Sequence, residues 1–488
     1  MIRKISEIPV SEQSYPFASA ERYLHLSDRG FTEKEYYMYG TANVYRTEPD
    51  GSIGVKNADV PYVNRIIVRA PKNPAACSGN VSVEIINATS GMEIDRMWIL
   101  THRQIVRNGD IYIGITSKHA TFAKLLEFDE ERYAKLSWPN PTPEIPFDFT
   151  PEDLMKESKI PDQDITKEPG LFWDMLSDLA RILRQDAEIN PIRAYHPSVI
   201  VLTGWSQSAD YTIRYINDFA YRDGDTPDLY DGFLIGAPVR FFVTPVNQYE
   251  AGSTKPTARN MIVRSAKNPV VILQTESENG IMGGSVIRRV QSDSSDFLCR
   301  EYDVAGSSHD TQYSMLDYYQ DDPDLLRIHY LPHYGAQHKV PNNYPSHFLF
   351  AAAYRNLINW ARYGFAPAAE ELIPTDEQGY NQKDALGNSV GGLRTCLINY
   401  PTGVYYNYSE EPGRGLLVYP EPNKNFLFGH EEPFSAEMLK AMYGSLEHYR
   451  ALVTEDTLRQ VTKGFIVRED AEELIQFAVN LAERRGLK

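Results

Sequence analysis

Short apolar runs rich in β-branched residues alternate with amphipathic stretches along much of the chain. Each run is bounded by glycine, proline or polar residues, which is typical of strands covered on both faces. Strands separated by helices predict right-handed crossovers and a mostly parallel central sheet flanked by helices. In such sheets, ligands bind beyond the carboxyl ends of the strands. The predicted strands are RIIVRA (65–70), NVSVEIINA (80–88), IYIGITS (111–117), PSVIVLTG (197–204), DGFLIGAP (231–238), PVVILQTE (269–276) and CREYDVAG (299–306).

Longer stretches have helical periodicity. GLFWDMLSDLARILRQD (170–186) carries one apolar stripe, and a second helix follows the strand 197–204 through about Tyr221. SHFLFAAAYRNLINWARYG (346–364) ends at a glycine, as helices commonly do. The stretch 435–485 is also predicted to be helical, with an interruption near Gly464.

The segments between these elements suggest how the chain is divided. Residues 136–170 are rich in proline and acidic residues and predict an excursion over the surface. We therefore predict a core over residues 1–345, with lid-like insertions at about 119–170 and 239–268. Residues 346–488 would add the last core helix and a large C-terminal extension, loop-rich over 370–430. This extension is either a lid that shapes the site or scaffolding and an oligomer interface.

The composition of the chain excludes some classes of binding partner. The chain has 488 residues, of which 42% are hydrophobic and 24% charged, and its formal charge is −17. This acidity argues against nucleic acid or an anionic membrane as partner. The N-terminus has no apolar signal region, and no run of about eighteen apolar residues predicts a membrane span. Three widely spaced cysteines form no zinc motif and fit reduced thiols in the cytoplasm. Composition leaves the oligomeric state open, and a homo-oligomer is one option.

The stretch VIVLTGWSQSADYTIRYINDFAY (199–221) passes from an apolar strand through a small-residue turn into a helix. Its centre is G-x-S-x-S, which differs from the G-x-S-x-G elbow of serine hydrolases only in Ser208. A sharp turn of this kind exposes a serine above the sheet at a helix N-terminus. Ser206 is therefore a candidate nucleophile; the alternative is a serine that only caps the helix.

A serine nucleophile needs a base and a group that orients the base, and in this fold they follow in the order acid, then histidine. TESENG (275–280) follows one predicted strand and AGSSHD (305–310) follows another. His309 is the candidate base because it directly follows a strand downstream of the serine. Glu276 and Glu278 are both candidates for the acid, and the turn at Asn279 favours Glu278.

An oxyanion hole needs two N–H donors, one of them from the residue after the nucleophile. That residue is Gln207. The second donor is expected from the loop after an earlier strand, and VEIINATSG (83–91) supplies small, turn-prone residues there. The backbone N–H of Thr89, or that of Ala88, is the candidate.

These stretches resemble the family called "alpha/beta hydrolase domain-containing" proteins, a mostly bacterial branch of the α/β-hydrolase superfamily. The resemblance covers nearly the whole chain, and G-x-S-Q-S is the usual elbow of the family, so Ser208 is no departure from it. The segments that carry it are YYMYGTANVYR (36–46), PYVNRIIVRAPKNP (61–74), GNVSVEIINATSG (79–91), GWSQSADYTIRYIND (204–218), TESE (275–278), YDVAGSSHD (302–310), KDALGNSVGGLRT (383–395) and TKGFIVREDAEELIQFA (462–478).

The resemblance implies an α/β-hydrolase fold and esterase-like transfer of an acyl group to water, without metal or organic cofactor. Ser206 would attack the carbonyl of a small-molecule ester, His309 would act as base and acid, and Glu278 would hold the imidazolium. An amidase, lactonase or acyltransferase could use the same triad. A binding protein on a retired hydrolase fold is the alternative from another class.

Overall fold

The computed structural model describes residues 1–143, 164–222, 228–240, 244–247, 261–279, 288, 291–319, 322–329, 339–409 and 427–488. The insertions predicted at 119–170 and 239–268 therefore lie partly outside the described residues, as does part of the loop-rich stretch 370–430. The lid function of these segments, and the division of the chain at residue 345, stay predictions.

The described residues form one ten-stranded sheet and one three-stranded sheet. In the large sheet the order is β1-β2-β3-β5-β4-β6-β7-β8-β10-β9. The run from β5 to β10 is parallel, while β1, β2, β3 and β9 pair antiparallel at the two sides. The strands are β1 (Ile2–Ile8), β2 (Phe31–Thr47), β3 (Ile53–Pro71), β4 (Asn80–Ile85), β5 (Ile111–Ile115), β6 (Val199–Trp205), β7 (Gly232–Gly236), β8 (Ala266–Thr275), β9 (Ser292–Ser294) and β10 (Phe297–Val304); β11 (Val340–Pro341), β12 (Gly403–Tyr406) and β13 (His430–Pro433) form the small sheet.

The predicted mostly parallel sheet is confirmed, because all seven predicted strands are present and six of them pair parallel. Every residue of β4, β5, β6 and β7 is buried, which explains why these strands read as continuous apolar runs rather than alternating ones. Since β4, β6, β8 and β10 run parallel, their carboxyl ends meet at one edge of the sheet. The loops that carry the candidate residues all leave from that edge.

The long hairpin β2–β3 was not predicted from the sequence as a pair of strands. Its register places Glu33 opposite Arg69, and these two residues form a buried ion pair with 2.8 Å between Arg69 Nε and Glu33 Oε2. Arg65 lies four residues before Arg69 on the same face of β3 and contacts Glu35. Charged residues on a buried face mask the apolar alternation from which strands are recognised.

Helices cover both faces of the sheet. The C-terminal helices share one buried apolar cluster with β6, β7 and β8, in which Leu474 and Val479 join Val201, Leu234 and Val271. The helices are α1 (Ala20–Leu24), α2 (Arg96–Asn108), α3 (Phe122–Phe128), α4 (Glu130–Tyr133), α5 (Phe172–Leu183), α6 (Gln207–Asp218), α7 (Pro323–Arg327), α8 (His347–Tyr363), α9 (Cys396–Asn399), α10 (Ala436–Tyr443), α11 (Leu446–Lys463) and α12 (Ala471–Arg484). Within the described residues, no helix is long and apolar enough to cross a membrane.

Candidate active site

Ser206 lies at the turn between β6 and α6. Its backbone has φ 57° and ψ −121°, a left-handed φ that only a minority of non-glycine residues adopt, and such strain costs about 1–3 kcal/mol. The side chain makes no capping hydrogen bond to the helix. A serine that served only as a cap would have extended backbone and accept an N–H from the first turn. The structure therefore gives Ser206 the geometry of an elbow rather than that of a cap.

The two small residues around Ser206 allow this turn. A Cβ on Gly204 would lie 2.3 Å from the carbonyl oxygen of Ser208 and 2.6 Å from Thr212 Oγ1, so β6 and α6 could not approach as closely with any other residue. Ser208 is buried, and its hydroxyl donates to the Ile86 carbonyl at 3.4 Å. The serine in place of glycine thus fits without conflict and links the elbow to the loop after β4.

Glu278 lies in the turn after β8 and contacts His309. Glu278 Oε1 lies 2.5 Å from His309 Nδ1, while Oε2 accepts hydrogen bonds from the N–H and the hydroxyl of Thr275, each at 2.7 Å. The carboxylate is completely buried, and both of its oxygens have partners. This geometry favours Glu278 over Glu276 as the residue that orients the histidine.

Glu276 has a different set of contacts. Its Oε2 accepts the N–H of Gly306 at 2.7 Å, and its Oε1 forms an ion pair with Lys383. Its own N–H donates to the Ser307 carbonyl at 2.9 Å. Glu276 therefore connects the loop after β8 to the loop that carries His309, and it does not contact the imidazole.

His309 is buried and held on two sides. Its backbone N–H donates to Ser277 Oγ at 3.0 Å, and its ring lies 5.2 Å from the ring of Trp205, the residue before Ser206. Burial by itself lowers the pKa of His309, but the charge and the hydrogen bond of Glu278 outweigh it, so the pKa is raised above its usual value. With Nδ1–H donating to Glu278, Nε2 is the nitrogen that can accept a proton.

Of the two predicted oxyanion donors, the N–H of Gln207 is available for a ligand and that of Thr89 is not. Gln207 is the first residue of α6, and its N–H belongs to the helix turn that has no intrahelical acceptor. The N–H of Thr89 is engaged, because it donates to Asn87 Oδ1 at 2.9 Å. The Ala88 N–H has no acceptor among the described residues and lies one residue closer to β4. The structure thus favours Ala88 over Thr89 as the second donor.

Residues that were not predicted from the sequence hold the loop 86–95. Asn87 Nδ2 donates to the Trp205 carbonyl at 2.9 Å, which joins this loop to the nucleophile elbow. At the far end of the loop, Glu93 forms a buried ion pair with Arg65, and Asp95 Oδ2 lies 2.5 Å from Arg69 Nη1. The sequence does contain a signal for these ion pairs. Arg65 and Arg69 are an even number of residues apart in RIIVRA, so both charges lie on one face of the strand and require acidic partners there.

One further carboxylate lies close to the candidate site. Asp210 is buried one turn along α6 from Ser206, and Oδ1 accepts the N–H of Arg240 at 3.3 Å. Burial raises the pKa of Asp210 to about 7. Within the described part of the chain, no cluster of three or more histidine, cysteine or acidic side chains could hold a metal ion.

Comparison with solved structures finds distant similarities to several esterases. Among solved structures, a lipase/esterase from Lactobacillus plantarum is 12% identical over 47% of this chain and 78% of its own, with a TM-score of 0.27. A glucuronoyl esterase from Solibacter usitatus is 9% identical over 65% and 84% of the two chains, with a TM-score of 0.30. The esterase Est22 is 13% identical over 64% and 86%, with a TM-score of 0.30.

Among the curated protein sequences, none is similar to this chain. The family model described as "Alpha/beta hydrolase domain" matches residues 5–476, which is nearly the whole chain. The predicted family and fold are thereby confirmed: the protein belongs to the alpha/beta hydrolase domain family and has the α/β-hydrolase fold.

Proposed function

We propose that this protein is a serine hydrolase that cleaves the carboxylic ester bond of a small molecule through an acyl-enzyme. The observation that carries the proposal is the buried pair of His309 and Glu278, whose imidazole packs against Trp205, the residue before a serine in a strained elbow. The strain at Ser206 supports a catalytic role, because a residue held in such a conformation without a structural need is typical of functional sites.

Each group has a defined part in the proposed reaction. Ser206 Oγ attacks the carbonyl carbon while His309 Nε2 takes the hydroxyl proton, and Glu278 stabilises the imidazolium. The negative oxygen of the tetrahedral intermediate accepts the N–H groups of Gln207 and Ala88. When the intermediate collapses, the ester C–O bond breaks and His309 gives its proton to the leaving alcohol. A water molecule then repeats the sequence on the acyl-enzyme and releases the acid, so no metal or organic cofactor is needed.

The test of the nucleophile is Ser206→Ala. We expect this variant to lose both labelling by a fluorophosphonate probe and turnover of short p-nitrophenyl esters, with unchanged thermal unfolding. Ser435→Ala is the matched control, because Ser435 also precedes a helix but accepts the Met438 N–H at 3.2 Å as a true cap. Labelling of Ser206→Ala at the wild-type rate would refute the assignment. Absence of labelling in the wild type would favour a binding protein instead.

A panel of esters, lactones and amides tests which type of bond the protein cleaves. A parallel series with an added alcohol tests whether the acyl group is transferred to water or to the alcohol. We expect the highest kcat/KM for an ester and release of free acid as the main product. A higher value for a lactone or an amide, or transfer to the alcohol faster than hydrolysis, would replace the esterase proposal by the corresponding activity.

We also propose a cytoplasmic location. Cys77, Cys299 and Cys396 are free thiols in the structure, which fits a reducing compartment. Fractionation of the source cells followed by fluorophosphonate labelling of each fraction tests this proposal. Labelled protein outside the cytoplasmic fraction would contradict it.

A further inference from the structure

A lysine from the C-terminal third of the chain reaches the loop that carries the candidate acid. Lys383 Nζ forms an ion pair with Glu276, two residues before Glu278, and donates to Ser389 Oγ at 2.9 Å. The side chain of Lys383 is 35% exposed, whereas that of Glu276 is 1% exposed. A buried carboxylate needs a charged or hydrogen-bonded partner, and Lys383 provides the charge from the solvent side.

The carboxylate of Glu276 bridges two loops. Its second oxygen accepts the N–H of Gly306 at 2.7 Å, three residues before His309. Gly306 has φ 85°, and a Cβ there would lie 2.5 Å from Ile398 Cδ1, so the chain turns sharply in a confined space. The positions of the acid loop and the histidine loop relative to each other thus depend on a charge that Lys383 compensates.

The C-terminal segment also holds the backbone of the acid loop. Asn381 Nδ2 and Asn407 Nδ2 donate to the Glu276 carbonyl at 3.0 and 2.9 Å. Ser277, whose Oγ accepts the His309 N–H, donates its own hydroxyl proton to the Asn407 carbonyl at 2.8 Å. The acid loop is therefore fixed from the C-terminal side by both backbone and side-chain contacts.

The motif KDALGNSVGGLRT (383–395) explains how Lys383 is placed. Asp384 Oδ1 accepts the N–H groups of two residues in the turn that follows, at 2.9 and 3.0 Å. The motif then extends the sheet next to β10: the Leu393 N–H donates to the Asp303 carbonyl at 2.7 Å, and the Ala305 N–H donates to the Leu393 carbonyl at 3.2 Å. Gly392 permits this contact, because a Cβ there would lie 2.7 Å from the Asp303 oxygen.

We propose that Lys383 is a positioning residue of the active site, which acts through Glu276 on the loops of Glu278 and His309. The inference rests on the proposed serine hydrolase function and assigns part of the C-terminal extension to holding the acid–histidine pair. When Lys383 is absent, the buried carboxylate of Glu276 loses its counter-charge and is left with the hydrogen bond from Gly306, so the bridge between the two loops rearranges. A displacement of about 1 Å at a catalytic group can reduce the rate by about 100-fold.

The experiment compares Lys383→Ala with Lys463→Ala. Lys463 is the matched control because it also lies in the C-terminal region, is partly exposed and pairs with Glu370 at 2.8 Å, away from the site. For Lys383→Ala we expect the rate of fluorophosphonate labelling and kcat for a p-nitrophenyl ester to fall by about 100-fold, with little change in KM. Because Lys383 is one-third exposed, added ethylammonium should restore part of the rate in Lys383→Ala and leave the control unchanged.

The outcomes separate this inference from the proposed function. Wild-type protein that is not labelled would end the serine hydrolase proposal. Labelled wild type together with an unchanged Lys383→Ala variant would overturn the role of Lys383 and leave the hydrolase proposal intact. A loss of rate without rescue, in a variant that unfolds well below the wild-type temperature, would assign Lys383 to stability alone and also overturn the inference. If Lys383→Ala does not fold, Lys383→Gln keeps a donor to Glu276 without the charge, and it is expected to show the same fall.

Discussion

The substitution Glu278→Gln tests the acid–histidine pair, because Thr275 dictates how the new amide must lie. Both the N–H and the hydroxyl of Thr275 donate to Glu278 Oε2. In the variant, the amide oxygen therefore takes this place. The reverse orientation would point the NH₂ group at the Thr275 N–H, which can only donate, and lose a buried hydrogen bond worth about 1–3 kcal/mol when left unmade. The NH₂ group then faces His309 Nδ1.

An NH₂ group that donates to Nδ1 selects the tautomer of His309 that carries its proton on Nε2. That nitrogen can no longer accept the proton of Ser206, and the charge that stabilises the imidazolium is also lost. Replacement of the orienting carboxylate by an amide typically lowers kcat by about 10⁴-fold, which corresponds to about 5 kcal/mol of barrier. We expect a loss of this order for Glu278→Gln with little change in the free energy of unfolding.

The assay is kcat/KM for a p-nitrophenyl ester as a function of pH. The neutral imidazole is the base, so the rate rises as the pH passes through the pKa of His309. Glu278 raises that pKa, whereas burial lowers it. Without the charge of Glu278, the pKa of His309 falls, so the rise in kcat/KM should move to lower pH. Glu276→Gln is the control and should lose much less activity. Activity of Glu278→Gln within tenfold of the wild type, or a larger fall for Glu276→Gln, would refute the assignment.

Two further predictions concern the loop 86–95. Asn87→Ala removes the hydrogen bond to the Trp205 carbonyl, so we expect kcat to fall by about 10–100-fold with KM nearly unchanged, measured by steady-state kinetics; an unchanged kcat would mean that the loop needs no anchor at the elbow. Arg65→Met leaves Glu93 buried without its counter-charge, while Glu35 keeps its ion pair with Arg132, so urea unfolding should show a loss of about 3–5 kcal/mol; a loss below about 1 kcal/mol would show that the ion pairs contribute little.

Local sequence was enough to locate the candidate nucleophile and base. The run VIVLTG followed by a small-residue turn forms a buried strand and an elbow in the structure, because strand, turn and helix here depend on neighbours within a few residues. The same holds for His309, which follows β10 directly. The loop after β4 was also located, but not its donor. The Thr89 N–H donates to the side chain of Asn87, which forms an Asx turn. A run of small residues in the sequence does not show in which direction the Asn87 side chain points.

The turn at Asn279 favours Glu278 over Glu276 in the sequence, but the contacts that separate the two carboxylates come from tertiary structure. Glu276 and Glu278 are two residues apart in the same turn, and their spacing gives no reason for one to face His309 and the other to face away. The distinction comes from Lys383, which is 107 residues from Glu276 in the sequence, and from Gly306. Such contacts form only when residues 381–407 pack against the loops at the edge of the sheet.

By itself, the sequence determined seven strands of the central sheet and their order along the chain, the family, and the serine, acid and histidine loops at one edge of a parallel sheet, because periodicity and turn residues act over short distances. Only the tertiary structure decided which glutamate contacts the histidine, which N–H remains available, and which buried charges hold the loops. Those are choices between chemically equivalent groups, and only the three-dimensional surroundings of each group make them different.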